Sequence, residues 1–438
     1  MSNVLILGYG VEGQAAVRYF LKHTDKQIVV ADQRGEDGPA PFADRQDPRL
    51  KWVSEKSALD HLRDDTLLLR SPGLPPVHPV LAAARARGLR ITTPTGYWIE
   101  NLAPADTLTI TGTKGKSTTV SMIAFLLERL GLPTAALGNI GAPPLDEKLP
   151  VATHPVLELS SYMMHDLPNG PYTHVVTSLY KEHTTWHGSE DAYRAAKLRP
   201  FFYENPVRGF APRQIIDENE LPSSVIAVED RVPVKAGVLQ IGEHGVIAAE
   251  LNERFHSAGD LAALRMACAV LLDSVDPTTL VQALRKHLGG YHGLPSRQEL
   301  LPTTDGRLWV NDALATVPEA TIVAMRRFAD QPITLLLGGA DRGQRFEGLV
   351  DAIKADGSTR PIVFGTTGER LAPMLKRAGV AFIEAASLEE AVTAALQKTA
   401  VGSVILFSPA AASEPPYADY RARADVIRAA AAGAIMPM

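Results

Sequence analysis

Residues 110–118 read I-T-G-T-K-G-K-S-T, with Gly112, Thr113, Lys114, Gly115, Lys116, Ser117 and Thr118 set between an apolar run at 108–110 and a helical pattern at 120–130. A strand that feeds a glycine-rich turn and then a helix start aims several backbone N–H groups at one small volume, at the positive end of the helix dipole. Such a cradle takes an anion. Lys116 would place a charge at the β and γ phosphates of a nucleotide, and the hydroxyl of Ser117 or Thr118 would hold magnesium. The common phosphate loop carries a further glycine where Ile110 stands, so this is the shorter form of the motif. ATP or GTP is the expected ligand.

A second glycine turn, Gly8, Gly10 and Gly13, follows the apolar run 4–7, and Asp32 ends the run 28–31 at the distance where an acidic residue meets a ribose. Alone, this block reads as a nicotinamide-dependent oxidoreductase or as a turn with no ligand. The phosphate loop further along argues against the first, because a dehydrogenase does not need one. Glu158, in L-E-L-S-S at the end of a predicted strand, is a natural magnesium ligand or a solvated loop residue. His183 follows the run 175–179 in the same topological position and is a metal ligand, a proton shuttle or a structural group. Lys197, in Y-R-A-A-K-L-R, reads on spacing alone as a solvated helix lysine. Asp312, Arg342, Ser408 and Ser413 lie at strand ends or in turns where a substrate carboxylate could dock, or where they would serve as caps.

Three times the chain restarts a short apolar run, a glycine turn and an amphipathic helix, the pattern of βαβ units and parallel sheets. The first block spans 1–94, with runs at 4–7, 28–31 and 67–69, the last entering Ser71, Pro72 and Gly73. The second spans 95–297, with the phosphate loop, runs at 156–159 and 175–179 and a helical stretch at 191–202; it closes on a glycine- and proline-bearing linker at 289–297. The third, 298–438, has runs at 308–311, 333–338, 361–365 and 404–408 and a terminal helix that frays. The expected fold is α/β in three domains: Rossmann-like, phosphate-loop ATPase-type and Rossmann-like again.

With 438 residues, 45% of them hydrophobic and 21% charged, neither a disordered nor a fibrous class fits. A net charge of −5 without a basic tract argues against nucleic acid, so an anionic ligand must be caught by local groups. The single cysteine, Cys268, lies in an alanine-rich helical stretch and reads as a buried residue of a reducing compartment. No leader or membrane-length apolar run is evident, and a cytoplasmic, monomeric protein is expected.

Taken together these pieces resemble the Mur ligases of peptidoglycan synthesis, most closely the muramoylalanine glutamate ligases. The likeness rests on the G-x-G-x-x-G start, S-P-G at 71–73, G-T-K-G-K-S-T at 112–118, G-N-I-G at 138–141 and L-E-L-S-S at 157–161. It continues through E-H at 182–183, Y-R-A-A-K-L-R at 193–199, G-L-P-S-R at 293–297, N-D-A-L-A-T at 311–316 and S-P-A-A-A-S at 408–413. A folylpolyglutamate-type enzyme would share the second and third blocks but lacks the first. The resemblance implies a UDP-binding first domain that uses Gly10, Val11, Glu12, Gly13 and Gln14 with Asp32, Arg34 and Gly73, while Asn139 and His183 touch the sugar nucleotide. It implies ATP on residues 112–118 with Arg297 and Asp312, and the incoming amino acid on Thr316, Arg342, Ser413 and Tyr420. Lys197 matches a lysine that the family carbamylates. That implies two magnesium ions, on Ser117 or Thr118 with Glu158 and on His183 with Lys197, and catalytic roles for Lys116, His183 and Lys197. The implied reaction activates the acid of UDP-N-acetylmuramoyl-L-alanine as an acyl phosphate, which the amine of glutamate then attacks.

The departures cluster in the third block. Leu314 and Arg342 stand where the family's D-glutamate ligases carry lysines, Ser413-Glu414-Pro415 replaces their serine, apolar and aspartate run, and Tyr420 replaces a phenylalanine. Lys114, Ser257 and Asp260 each replace an asparagine. Lysine and arginine differ in geometry as carboxylate readers. L-glutamate is therefore the expected isomer, with D-glutamate as the alternative.

Overall fold

The computed structural model describes residues 3–33, 47–146, 153–170, 172–180, 184–252, 255 and 257–433. It divides into two compact units, residues 1–290 and 291–438. Arg34 and His183 lie outside the described residues.

The first unit opens on a five-stranded sheet of β1 (Asn3–Leu7), β2 (Gln27–Asp32), β3 (Leu50–Ser54), β4 (Leu67–Arg70) and β5 (Ile91–Thr92), all parallel in the order β3-β2-β1-β4-β5. Val4 to Leu7 are all buried, as expected of a strand covered on both faces. Helix Val11–His23 packs down through Ala15, Ala16, Val17 and Phe20. It can sit so close only because Gly13 has no side chain: a Cβ there would lie 2.3 Å from the Gly8 carbonyl oxygen.

A six-stranded parallel sheet follows, made of β6 (Thr107–Thr111), β7 (Thr134–Gly138), β8 (His154–Glu158), β9 (Tyr172–Val176), β10 (Gly209–Ala211) and β11 (Val225–Ala227) in the order β11-β10-β9-β6-β8-β7. β6 thus has β9 on one side and β8 on the other, and its C-terminal end opens between them. The two sheets share one core, in which Ile6 and Phe20 belong with Trp98, Leu157 and Val176. Cys268 is buried within helix Ala258–Leu271, as expected, and burial pushes its thiol up to about 12. A small antiparallel sheet, β12 (Val234–Lys235), β13 (Val238–Ile241) and β14 (His244–Val246), completes the unit.

Two expected elements shift. The run at 175–179 is a strand only to Val176, because the hydroxyls of Thr177 and Ser178 turn the chain to bond Lys114. The helix at 191–202 is helix Glu190–Leu198 followed by a 3-10 turn, Arg199–Phe202, as Pro200 cannot continue an α-helical ladder.

The second unit holds β15 (Glu299–Leu301), β16 (Leu308–Asn311), β17 (Ile333–Gly338), β18 (Arg360–Phe364), β19 (Ile383–Ala385) and β20 (Val404–Phe407) in the order β15-β16-β20-β17-β18-β19, with only β15 antiparallel. Leu335 and Leu337 enter one apolar cluster while Leu336 enters another, so the alternating faces of β17 serve both helical layers. Among the described residues no helix is long and apolar enough to cross a membrane.

Candidate active site

β6 ends at Thr111, and the chain turns through Gly112 at φ 146° and Gly115 at φ 85° into helix Lys116–Arg129. A Cβ at position 112 would stand 2.1 Å from Thr177 Oγ1, so only glycine fits there. The loop is braced from behind. Lys114 N–H donates to Ser178 Oγ at 2.8 Å, Thr177 Oγ1 donates to the Lys114 carbonyl at 2.6 Å, and Tyr180 N–H donates to Thr113 Oγ1 at 2.9 Å. Lys116 Nζ lies over the loop and donates to the carbonyls of Gly112 and Thr113 at 2.9 and 3.0 Å. Ser117 is buried in the first helical turn and Thr118 is half-buried beside it. The strand, glycine turn and helix expected from the motif are all present.

Lys197 is not the solvated lysine that spacing suggests. It is 1% exposed, and its Nζ donates to the Gly112 carbonyl at 2.8 Å and to Thr111 Oγ1 at 3.0 Å. Tyr193, one turn earlier on the same helix face, lies beneath the ammonium and bonds Thr113 Oγ1 at 2.8 Å through its hydroxyl. His174 on β9 bonds the Lys197 carbonyl through Nε2 at 3.0 Å and Thr109 Oγ1 through Nδ1 at 2.8 Å. Burial lowers this histidine to about 4, so the ring is neutral, with Nε2–H as donor and Nδ1 as acceptor.

Glu158 ends β8 and pairs in register with Ile110, just before the loop. It is 1% exposed; Oε1 accepts from Asn139 Nδ2 at 2.7 Å, and Oε2 is buried with no hydrogen-bond partner among the described residues. A carboxylate oxygen out of water and unpaired is costly unless a cation meets it. That orphaned oxygen, at the end of the strand paired with the one that feeds the phosphate loop, fits magnesium, which is held by one or two carboxylates plus substrate phosphates. Among the described residues no three His, Cys, Asp or Glu groups converge as a self-sufficient metal cage.

The first sheet presents its own turn. Tyr9 N–H donates to Asp32 Oδ2 at 2.8 Å, so Asp32 ties the end of β2 to the glycine turn. Gly10 and Val11 are exposed at the helix start, and Gln14 N–H bonds the Gly10 carbonyl at 2.9 Å. Thr95 Oγ1 donates to Glu12 Oε1 at 2.5 Å, and burial raises the Glu12 carboxyl to about 7 against the opposing pull of Thr95 and Arg70. Gly73 offers its carbonyl to Trp186 Nε1 at 3.1 Å.

In the second unit Asp312 is 4% exposed. Its Oδ2 accepts from Ser408 Oγ at 2.8 Å and its Oδ1 from Gln298 N–H at 3.1 Å, while burial raises the carboxyl to about 6. Ser408 is thus committed to Asp312 and is no docking group for a substrate. Arg297 is exposed on the neighbouring turn. Gln344 joins two expected amino-acid residues: its Oε1 accepts from Arg342 N–H at 2.9 Å and its Nε2 donates to the Thr316 carbonyl at 3.3 Å. The Arg342 loop is tied to the Ser413 loop through Ala340 N–H and the Ala412 carbonyl at 3.0 Å. Tyr420 opens helix Tyr420–Ala431, where buried Arg423 donates to the carbonyls of Ala313 and Ala411.

Sequence reasoning missed Arg70, Asp166, His174, Trp186 and Arg423. Each acts on backbone carbonyls or partners far away in the chain, which no local spacing records. Tyr193 was within reach, because it stands one helical turn before Lys197.

Three family models match the chain: a Mur ligase MurD-like N-terminal domain over residues 2–93, a Mur ligase middle domain over 110–218 and a Mur ligase glutamate ligase domain over 296–411. The chain is similar to a UDP-N-acetylmuramoyl-L-alanine–L-glutamate ligase of a Micromonospora species, 31% identical over 97% of this chain and 95% of the relative. It is similar to one so named from Xylella fastidiosa, 32% identical over 96% and 93%. A UDP-N-acetylmuramoylalanine–D-glutamate ligase of Lactiplantibacillus plantarum is 30% identical over 97% and 94%. Among solved structures, a UDP-N-acetylmuramate–alanine ligase from Thermotoga maritima shares the fold with a TM-score of 0.52 at 16% identity, covering 97% of this chain and 98% of that one. FolC of E. coli, solved with ADP, has a TM-score of 0.52 at 15% identity over 76% of this chain and 90% of its own.

Proposed function

The chain belongs to the Mur ligase family, and from that membership we propose that it joins L-glutamate to UDP-N-acetylmuramoyl-L-alanine at the expense of ATP. It is an ATP-dependent, amide-forming ligase of three α/β domains. For the domains we propose the boundaries 1–94, 95–297 and 298–438; the support is that β1–β5, β6–β14 and β15–β20 each fall within one of these ranges.

A lactyl-alanine carboxylate is a poor electrophile. Its oxygen attacks the γ-phosphorus of ATP, ADP leaves, and an acyl phosphate results. The glutamate amine then attacks the acyl carbon, inorganic phosphate leaves and a proton is released. Residues 112–118 cradle the phosphates, and Lys116 moves from its loop carbonyls to follow the migrating phosphoryl group. Asn139 and His183 orient the sugar nucleotide, with His183 as a candidate proton acceptor, while Arg297 and Asp312 hold the ATP ribose and phosphates. Magnesium, when bound, neutralises the charge that accumulates between phosphates and acceptor carboxylate. Glu158 Oε2 with Ser117 or Thr118 would hold one ion; Lys197, made anionic by addition of carbon dioxide to its neutral amine, would hold a second with His183.

The observation that carries the site reading is the buried Glu158 oxygen, without a hydrogen-bond partner among the described residues, at the end of the strand paired with β6. For the isomer, the support is the name of the relatives at 31 and 32% identity together with Leu314, Arg342, Glu414, Pro415 and Tyr420 in the third domain. Purified protein given ATP, magnesium and UDP-N-acetylmuramoyl-L-alanine should form ADP and product with L-glutamate. Turnover with D-glutamate alone would reverse the choice of isomer. Lys116→Ala should lower kcat on the order of a hundredfold or more; unchanged ADP formation would remove the phosphoryl-transfer role.

A further inference from the structure

Arg70 ends β4 with a side chain that is 0% exposed, an unusual place for a charge unless every donor is used. Its Nε donates to Asp166, its Nη2 to the Tyr162 carbonyl at 2.7 Å, and its Nη1 to the carbonyls of Ser71 and Pro72 at 3.3 and 3.1 Å. One guanidinium therefore ties the turn at the end of the first sheet to the helix that follows β8. Only residues 159–161 separate Glu158 from Tyr162, so the far side of the tie is fixed to the strand end that carries the orphaned carboxylate.

The tie has a second strand. Trp186 Nε1 donates to the Gly73 carbonyl, and the indole stacks on Tyr162 with ring centroids 4.5 Å apart while the Arg70 guanidinium lies 5.6 Å from its centre. All three carbonyls of the S-P-G turn are thus held by Arg70 or Trp186, and both residues rest on Tyr162. Burial alone would raise the Asp166 carboxyl, but the bond from His165 and the charge of Arg70 outweigh it and hold it far below the usual range, so Arg70 keeps an ionised partner.

We propose that Arg70 and Trp186 are positioning residues for the acceptor substrate: by clamping the carbonyls of Ser71, Pro72 and Gly73 onto the Tyr162 segment, they set how far the sugar nucleotide's acid stands from the phosphate loop. This rests on the reading of Gly73, in that turn, as a sugar-nucleotide contact. A reacting carboxylate must stand within about 3–3.5 Å of the phosphorus it attacks, so a small displacement of the turn is felt in turnover as well as in binding. Neither residue need touch ATP.

Steady-state kinetics of the full-length enzyme decide it. Trp186→Phe keeps an aromatic ring to stack on Tyr162 and removes the N–H donor; the expected result is a KM for the sugar nucleotide raised about three- to tenfold with the KM for ATP unchanged. Arg70→Lys cannot reproduce the fork, and should raise the same KM tenfold or more and lower kcat. The double variant should fall short of the product of the two effects, because both act on one turn. Equal rises in both KM values, or no change in Trp186→Phe, would overturn the clamp. If Arg70→Lys fails to fold, Trp186→Phe decides alone. A wild-type enzyme that forms no ADP with the sugar nucleotide and either glutamate would instead overturn the functional reading, and the clamp with it; a wild type that turns over while the variants match it overturns the clamp only.

Discussion

Asp312 is a carboxylate placed where solvent barely reaches, and its proton affinity says what that placement costs. Its folded value of about 6 lies above the ordinary 3.8 of the unfolded chain, so the native state keeps the proton to a higher pH than the unfolded chain does. The resulting destabilisation is absent below 3.8, grows up to 6 and is complete above it. Asp312→Asn should therefore raise unfolding stability at pH 8 by about 3 kcal/mol, with the gain shrinking below pH 6, while ATP turnover falls. Denaturant melts at the two pH values check the first part; a gain that does not depend on pH would reject it. At this scale the sequence was uneven. The phosphate loop was legible because its residues are contiguous and its geometry is backbone geometry. Lys197 was not legible from spacing, since what buries it is the carbonyl of Gly112 and the ring of Tyr193, and only its place in Y-R-A-A-K-L-R drew attention to it.

β9 and helix Glu190–Leu198 meet through His174, whose neutral ring links Thr109 to the Lys197 carbonyl. The sign here is opposite to that of Asp312. A folded value of about 4 against 6.5 means that the native state refuses a proton that the unfolded chain accepts, so the stabilisation is complete above 6.5 and is lost as pH falls through 4. The loss is on the order of 3 kcal/mol. His174→Gln retains a donor for the Lys197 carbonyl and an acceptor for Thr109 without a group that titrates in this range. It should show a flatter fall in thermal stability between pH 6.5 and 4 than the wild type, and an identical slope would exclude His174 as the cause. Strands such as 308–311 and 333–338 were legible to the residue, being apolar runs bounded by polar ends. The end of β9 was not, because Thr177 is a good strand residue and the hydroxyls of Thr177 and Ser178 are used on the Lys114 carbonyl, which no local pattern records.

Across the whole chain, the repeated run, glycine turn and helix foretold three sheets. The small sheet β12–β14 was not foretold, its strands being too short to show a period. The first unit buries a core of its own that spans two sheets, and the chain after Gly290 is irregular until β15. A fragment of residues 1–290 should fold and bind the sugar nucleotide within about tenfold of the full-length affinity while making no product, since every residue assigned to that substrate precedes Gly290. Loss of binding in a fragment that melts cooperatively would show that the acceptor site needs residues beyond 290. Thr177, Ser178 and Tyr180 hold the 112–118 loop in shape through bonds within the chain, one of them spending the Lys114 amide. A triphosphate taken by that loop, as proposed above, would find it already ordered, so little disorder would be surrendered on arrival and less of the attraction would be lost before it is expressed as affinity.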